Sequence, residues 1–387
     1  MTKTIQAVVS PLLIIGSFCG LGFFEYPLGR PRPYLTCLYF LIIWSLYAYL
    51  FYYLAYISDT LHIYLSETNI MIMFTTIVSM LVSLFRFKEF KICLNKLSIV
   101  DDTLELLKTP KEYRLLHKWI IGIIIKWILL SLLIDVSDSL WLNYEHFSVT
   151  RIFVPLVTNY LLHINTYSAF IWAVILGYTG SRFQRINEHI RNLLEDDTEC
   201  IKGQNKLILI RNKRRTKIKK SKQYMWILMH VHLQLCLISC ELNKIFGIQM
   251  TLQMASQFVF SIDTCCHVYA AYAKDDTTIG TFLDHIFNFI WAVVHNANLL
   301  VLNYICQSVC NKANKTSAIL YNLSNESSDE DLREQTLQFI LQIKQKKLKF
   351  SGMGLFYFGY DFIRKFYVSV AALLVIIIQM DIYVPID

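Results

Sequence analysis

The stretch YLTCLYFLIIWSLYAYLFYYLAYI, residues 34–57, carries no charged side chain and includes seven tyrosines. About 20 apolar residues are enough for a helix to cross a bilayer, so this stretch predicts a membrane span. Six further apolar stretches follow it, at residues 69–84, 119–134, 152–179, 246–273, 285–309 and 366–380. The sequence therefore predicts an all-α membrane protein with seven transmembrane helices.

The positive charges lie in alternate gaps between these stretches. Of the 37 Lys and Arg residues, 34 fall within residues 1–33, 85–118, 180–245 and 310–365. Cytoplasmic segments of membrane proteins are enriched in Lys and Arg, so these four gaps are expected on the cytoplasmic side. The N-terminus is then cytoplasmic, and after seven crossings the C-terminus is extracellular.

The composition agrees with a membrane protein. The chain is 55% hydrophobic and 17% charged, whereas soluble domains are about 45–50% apolar and about 25% charged. The net charge of +8 lies beside apolar spans, where anionic lipid of the inner leaflet attracts basic side chains. We therefore expect contact with membrane lipid and no nucleic-acid partner.

Five regions are expected along the chain. They are an N-terminal cytoplasmic segment at 1–33, helices one to six at 34–309, cytoplasmic helices at 310–365, the seventh helix at 366–380 and an extracellular tail at 381–387. A long cytoplasmic insertion at 181–244 lies within the second region. Its basic run at 211–222 is typical of a solvated loop, whereas 226–248 repeats apolar residues at intervals of three or four and predicts a helix extending into the cytoplasm.

No catalytic pattern stands out in the sequence. It contains no GxSxG, HExxH or P-loop pattern, so we expect no enzyme activity. His232, Cys236 and Cys240 share one helix face, but three ligands along one straight helix cannot surround a tetrahedral ion. We therefore expect neither a metal site nor a cofactor.

Polar side chains recur in the outer half of the predicted bundle, where they are costly unless they face the interior or a water-filled cavity. Interleaved with Trp and Tyr, they suit a small hydroxylated ligand such as a sugar, whose hydroxyls need partners and whose rings stack on aromatics. Hydrogen bonding between helices is the alternative role. The candidate ligand-binding residues are Asp135, Trp141, Asn159, His163, Gln257, Asp263, Trp291, His295 and Asn298.

Gln379 ends an apolar run in the last span, residues 375–378. If this helix lined an axis shared by several subunits, Gln379 would form a polar ring beside apolar neighbours. Such a constriction can gate an ion path by dewetting. Taken alone, however, Gln379 is better interpreted as an ordinary polar residue near the end of a span.

The C-terminal sequence resembles the closing signature of insect gustatory receptors. That signature is a Gly-aromatic segment leading into Thr-Tyr, five apolar residues and Gln-Phe. Here residues 349–358 read KFSGMGLFYF, and Gln379 follows five apolar residues. Ala372-Leu373 stand in place of Thr-Tyr, and Met380 stands in place of Phe. Residues 11–24, 242–247 and 306–316 also resemble this family, so the resemblance covers most of the chain.

The resemblance implies a tetrameric, ligand-gated, non-selective cation channel in the plasma membrane of chemosensory neurons. Helix seven would line the pore, with Gln379, Met380 and Ile376 at the gate, and residues 310–365 would anchor the subunits to one another. The expected partners are a small-molecule tastant and further gustatory-receptor subunits, identical or different. Because Met is more flexible than the usual Phe, we expect a differently shaped closed gate.

Three alternatives differ in their sequence features. An insect odorant receptor channel has a similar topology but a different C-terminal pattern. A G-protein-coupled receptor has an extracellular N-terminus, contrary to the charge distribution, and usually an NPxxY-like ending that this sequence lacks. A small-solute transporter often shows inverted repeats and paired broken helices, and neither is visible here.

Overall fold

The computed structural model describes residues 4–21, 33–57, 67–144, 147–202, 210–273, 279–326 and 330–383. These ranges contain the helices α1 Ile5–Phe18, α2 Pro33–Ile57, α3 Glu67–Leu106, α4 Tyr113–Leu142, α5 Val149–Thr158, α6 Tyr160–Lys202, α7 Ile210–Ala273, α8 Ile279–Glu326, α9 Glu330–Gln345 and α10 Tyr360–Tyr383. Two short strands, β1 Ser351–Gly352 and β2 Phe356–Tyr357, pair antiparallel. The described chain is thus almost entirely helical, as predicted. Residues 1–3, 22–32 and 384–387 of the predicted terminal segments lie outside the described residues.

Within the described residues, six helices are long and apolar enough to cross a membrane. The first three predicted spans lie in α2, α3 and α4. The fourth is divided between α5 and α6, and the fifth and sixth lie in α7 and α8. The predicted seventh span lies in α10, which has 24 residues and is about 36 Å long at 1.5 Å per residue. The span predicted at 366–380 is shorter than this helix, because only apolar residues were counted toward it. The first turns of the helix carry the charged residues Asp361, Arg364 and Lys365.

Several helices continue far beyond the length of a membrane span. Helices α3, α6, α7 and α8 have 40, 43, 64 and 48 residues. Their extensions pack with α9 around a core that includes Phe183, Leu235 and Phe339. The helix predicted at 226–248 is confirmed as part of α7. Its repeated apolar residues Val231, Leu235, Ile238, Leu242 and Ile245 are buried.

The prediction of a loop at the basic run 211–222 is wrong for the backbone, which is helical from Ile210 onward. The run contains neither Gly nor Pro. Lys and Arg are good helix formers, so nothing in this stretch stops a helix that is nucleated and packed further along the chain. The charge pattern indicated a solvated segment but could not distinguish a loop from a solvated helix.

The Gly-aromatic segment forms a tight hairpin before α10. Met353 and Gly354 both have positive φ, 53° and 79°, and the Leu355 amide donates to the Gly352 carbonyl over 2.9 Å. This is the geometry of a type I′ turn, in which Gly is favoured because it tolerates positive φ. The hairpin directs the chain into the last helix.

The start of α10 is attached to α8 at Gly359. Its φ is 141°, and its amide donates to Asn303 Oδ1 over 3.0 Å. A Cβ atom at this position would lie 2.3 Å from Gln307 Oε1, so a larger residue would not fit without movement. This contact fixes where α10 leaves the rest of the protein.

Candidate functional site

A pocket of about 360 Å³ opens at the end of the bundle opposite to the long helical extensions. The first turns of α3, the last turns of α4 and α7 and residues 287–295 of α8 meet there, and α2, α5 and α6 complete the wall. If the basic segments are cytoplasmic, this is the outer end of the protein. A cleft of this size is typical of a small-molecule site.

Aromatic side chains dominate one wall of the pocket. Trp141 of α4 stacks on Phe287 of α8 with ring centroids 4.9 Å apart. Phe260 of α7 stacks on His295 at 3.6 Å, and Trp291 is tilted against the same imidazole at 5.6 Å. Further apolar lining comes from Phe51, Ile70, Ile72, Met73, Leu142, Pro155, Leu161 and Leu162.

A carboxylate cluster joins α4, α6 and α8 beside this wall. Asn159, which separates α5 from α6, donates from Nδ2 to Asp138 Oδ2 over 2.5 Å and to Asp135 Oδ1 over 3.1 Å. His163 Nε2 is 3.0 Å from the same Asp135 oxygen, and Trp291 Nε1 donates to Asp138 Oδ1 over 3.2 Å. The cluster fixes Asn159 and Trp291 as side chains that line the pocket.

His295 presents an unpaired nitrogen within this site. Only 3% of the residue is exposed, and its Nδ1 is 3.1 Å from Gln257 Oε1. A carbonyl oxygen can only accept, so Nδ1 carries the hydrogen and Nε2 is an acceptor. Nε2 has no hydrogen-bond partner among the described residues. Buried polar groups are usually paired, so this nitrogen is available to a ligand.

Two further polar groups line the pocket, the Tyr47 hydroxyl of α2 and the Asp263 carboxylate of α7. The Tyr47 hydroxyl lines the pocket, and no described residue pairs with it. Asp263 of α7 accepts a hydrogen bond from Thr68 over 3.0 Å and lies 3.5 Å from His267 Nε2. With its side chain 45% exposed, Asp263 is more accessible than the buried Asp138.

The structure brings five of the nine predicted ligand-binding residues to the pocket lining: Trp141, Asn159, Asp263, Trp291 and His295. The other four are absent from the lining. Asp135 and Gln257 hold the lining residues Asn159 and His295 by hydrogen bonds, and His163 pairs with Asp135. These contacts between helices are the role considered as the alternative. Asn298 is partly buried further along α8. Sequence reasoning missed Tyr47, Phe51 and Thr68, because nothing in α2 or the start of α3 indicated which face turns inward.

The predicted gate residues lie on a largely uncovered face of α10. This helix packs against α7 and α8, and Phe366 and Val370 on the packed face are buried. Ile376 is 50% exposed, Met380 is 64% exposed, and Gln379 is exposed as well. Residues three and four apart share a helix face, so these side chains form one continuous strip.

Helix α8 connects the pocket to α10. One residue after His295, Asn296 Oδ1 accepts a hydrogen bond of 2.5 Å from the Tyr367 hydroxyl of α10. Two turns further along α8, Asn303 Oδ1 accepts a hydrogen bond from the Gly359 amide. On α7, Phe258 packs edge-on against Phe366 at 5.6 Å, two residues before the pocket residue Phe260. Two of the three helices that carry the aromatic wall, α7 and α8, thus contact the last helix directly.

Residues 9–384 match the family model described as 7tm Chemosensory receptor. The chain belongs to this chemosensory receptor family. One relative of the receptor is the Drosophila melanogaster protein named "Putative gustatory receptor 2a", which is 22% identical over 133 residues. That match covers 30% of this chain and only 31% of the relative.

The receptor also resembles solved structures over nearly its whole length. The insect olfactory receptor OR5 from Machilis hrabei, in complex with eugenol, superimposes with a TM-score of 0.60, covering 96% of this chain and 97% of that chain. A second structure of OR5 gives a TM-score of 0.59. Sequence identity is 11% in both cases, so the likeness concerns the fold. The family is one of multi-pass membrane receptors and not of enzymes.

Proposed function

We propose that this receptor is a gustatory, ligand-gated, non-selective cation channel, in which a small molecule binds the outer pocket and opens a pore lined by α10. The observation that carries this proposal is the double role of α8. The helix holds Trp291 and His295 in the pocket wall, and it holds α10 through Asn296 and Asn303. A change in the position of α8 would therefore act on both sites.

A ligand can open the channel only if it binds the open state more tightly than the closed state. The stacked pairs Trp141 with Phe287 and Phe260 with His295 join α4, α7 and α8 across the pocket. A ligand inserted among these rings changes the distances between the helices. The movement of α8 is then transmitted to Tyr367 and Gly359 of α10.

The proposed channel has the N-terminus in the cytoplasm and four copies of α10 around one axis, with Gln379, Met380 and Ile376 at the gate. The exposed strip on α10 supports this arrangement, because each copy leaves these side chains uncovered. In the extensions, Leu337 and Leu341 of α9 are exposed, which suits the proposed contact between subunits at residues 310–365. The four copies are identical or belong to different gustatory receptors, in the plasma membrane of chemosensory neurons.

The residues that line the pocket indicate which class of ligand fits it. A sugar needs a partner for most of its hydroxyls, as the sequence-based expectation of a sugar-like tastant assumed. Most of the described lining is instead apolar or aromatic, and many of its polar groups already pair with one another. These features favour an amphipathic molecule with a ring-bearing body and one or two polar groups over a sugar.

An odorant receptor channel is the second candidate function. It is supported by the likeness to OR5 over 96% of this chain. The same pocket and pore helix would then respond to a volatile ligand. Currents recorded from the chain expressed alone, with volatile and with poorly volatile compounds applied in turn, separate the two roles. A gustatory receptor responds to dissolved, poorly volatile compounds, whereas an odorant receptor responds to volatile ones.

The pore assignment is tested by substitutions in α10. Gln379→Ala replaces the proposed polar ring with methyl groups, so we expect more frequent dewetting and a lower unitary conductance. Met380→Ala widens the constriction, so we expect a higher basal current. Patch-clamp recording measures both effects. Ligand binding to the purified variants is expected to be unchanged.

Val370→Ala is the matched control for these substitutions. Its side chain faces α7 and α8 rather than the exposed strip, so conductance and ion permeability ratios are expected to stay at their original values. Unaltered conduction in both Gln379→Ala and Met380→Ala would remove these positions from the pore.

A further inference from the structure

Two carboxylates line the pocket, and the histidines beside them are His267, 3.5 Å from Asp263, and His295. Asp138 and Asp263 both line the pocket, whereas the described lining residues include neither Lys nor Arg. The neutral amide and hydroxyl groups of the lining, which can donate or accept, belong to Tyr47, Thr68, Asn69, Thr158, Asn159, Thr264 and Asn288. Clefts lined by one sign of charge attract molecules of the opposite sign. The pocket therefore favours cations over anions.

Asp138 is a buried carboxylate without a positively charged partner among the described residues. The residue is only 7% exposed, and its two oxygens accept from Asn159 and Trp291, which are both neutral. No Lys, Arg or His among the described residues forms an ion pair with it, whereas Asp135 one turn earlier lies 3.0 Å from His163. Burying a charge without a counter-ion costs free energy, because the charge loses its hydration. A cationic ligand would remove that cost.

The unpaired nitrogen of His295 points to the same kind of ligand. Nε2 is an acceptor, because Nδ1 donates its hydrogen to Gln257 Oε1. The buried groups of this wall that can still serve a ligand, the Asp138 carboxylate and His295 Nε2, are therefore acceptors. A ligand that suits both must donate hydrogen bonds, as a protonated primary or secondary amine does.

The aromatic rings complete the requirement. Trp291 donates its indole hydrogen to Asp138 over 3.2 Å, so the carboxylate lies at the edge of the indole ring and a ligand ammonium group beside it reaches the aromatic wall. Trp141, Phe260 and Phe287 lie in the same wall. Aromatic rings attract cations over their faces, where the ring quadrupole is negative. They also cover an apolar ligand body at the same time.

From this geometry we infer that the pocket binds a protonated amine on an apolar, ring-bearing body, with the ammonium group between Asp138, His295 and Trp291. This inference rests on the proposed function in that it names the ligand class of the same pocket. Asp263, at the more open side, provides a second negative charge along the path by which such a ligand enters.

The test uses three probes with one skeleton and different charges: phenethylamine, phenethyl alcohol and hydrocinnamate. Binding to the purified full-length receptor in detergent is measured by thermal unfolding and by quenching of tryptophan fluorescence. We expect the amine to bind at least about tenfold more tightly than the alcohol, equivalent to about 1.4 kcal/mol. The anionic hydrocinnamate is expected to bind more weakly than the alcohol.

Isosteric substitutions then locate the charge effect. Asp138→Asn is expected to weaken binding of phenethylamine about tenfold and to leave phenethyl alcohol nearly unaffected. Asp263→Asn is expected to have the same selectivity with a smaller effect, because its carboxylate is half exposed. The test therefore remains decisive if Asp138→Asn does not fold. Asp102→Asn, an exposed carboxylate at the opposite end of α3, is the matched control and is expected to leave the affinity for all three probes unchanged.

The inference is overturned if the alcohol or the carboxylate binds as tightly as the amine, if the amine does not bind at millimolar concentration, or if neither pocket variant changes the preference for the amine. Current recordings keep this outcome separate from the proposed function. Selective amine binding without ligand-evoked current would contradict the channel and support the ligand class. Current evoked only by neutral molecules would do the reverse.

Discussion

Arg182 is almost completely buried and shows how this receptor accommodates charge inside a helical bundle. Its side chain is 2% exposed, and Nε lies 2.8 Å from Asp101 Oδ1, at an angle that suits an ion pair better than a hydrogen bond. Tyr113 and Tyr178 donate to Asp101 Oδ2 over 2.9 and 2.7 Å. The four side chains join α3, α4 and α6. Every charge in the set has a partner, which is the condition for burying one.

Removing one partner from this set should destabilise the receptor strongly. Asp101→Asn leaves the Arg182 guanidinium buried without a counter-ion, and such changes cost about 3–5 kcal/mol. We therefore expect a large fall in the Tm of the purified receptor, measured by tryptophan fluorescence in detergent. Asp102→Asn removes a neighbouring but exposed carboxylate, which pairs with Lys111 at the surface, and should leave the Tm nearly unchanged. Equal Tm values for the two variants would contradict the structural role of the buried pair.

At the scale of elements, the contact between α8 and α10 decides whether ligand binding reaches the pore. The hydrogen bond from Tyr367 to Asn296 is the nearest such contact to the pocket, one residue from His295. Tyr367→Phe removes the hydroxyl and keeps the ring. We expect the half-maximal ligand concentration for current to rise severalfold, because one hydrogen bond contributes about 0.5–1.5 kcal/mol.

Tyr360→Phe is the matched control for this prediction. Tyr360 is the first residue of α10 and is 54% exposed, so loss of its hydroxyl should leave the dose–response curve in place. Dose–response recordings from cells expressing each variant provide the measurement. Identical curves for the original receptor and Tyr367→Phe would show that this bond does not transmit gating.

The existence of most helices could be predicted from the sequence, because apolar stretches long enough to cross a bilayer have few other structures available. Their continuity could not. Helix α7 runs from the basic run through the predicted cytoplasmic helix and the fifth span as one element of 64 residues. The composition changes twice along this helix, and the predicted loop, cytoplasmic helix and fifth span were separated at those changes. Helix formation depends on backbone hydrogen bonds and packing, which such changes do not interrupt.

The pocket was predictable in part for a related reason. Polar residues inside spans indicated a shared interior, and Asn159, Trp291 and His295 do line one pocket. The division between lining and supporting residues depends on how each helix is rotated against its neighbours. Asp135 and Asp138 are three residues apart on one helix, yet only Asp138 is part of the lining. Tyr47 lies among the many tyrosines of α2, which gave no signal of its orientation.

At the scale of the whole molecule, the receptor leaves apolar surface uncovered in two distinct places. Helix α2 has no buried residue within its apolar stretch Cys37–Leu54, which suits contact with lipid. Helix α10 packs against α7 and α8 on one side, and its exposed strip includes Gln379 and Met380. A peripheral helix facing lipid and a last helix facing an axis are what a channel assembled from several copies requires.

The most direct test is a recording from outside-out patches of cells that express this chain alone, with no nucleotide in the pipette. A ligand shown to bind the purified receptor is applied to the outer face. The proposed channel predicts unitary cation currents whose frequency rises with ligand concentration and which do not require G protein or nucleotide. If a ligand that binds the receptor evokes no unitary openings, or is instead taken up in a saturable way without conductance, the receptor is not a ligand-gated channel.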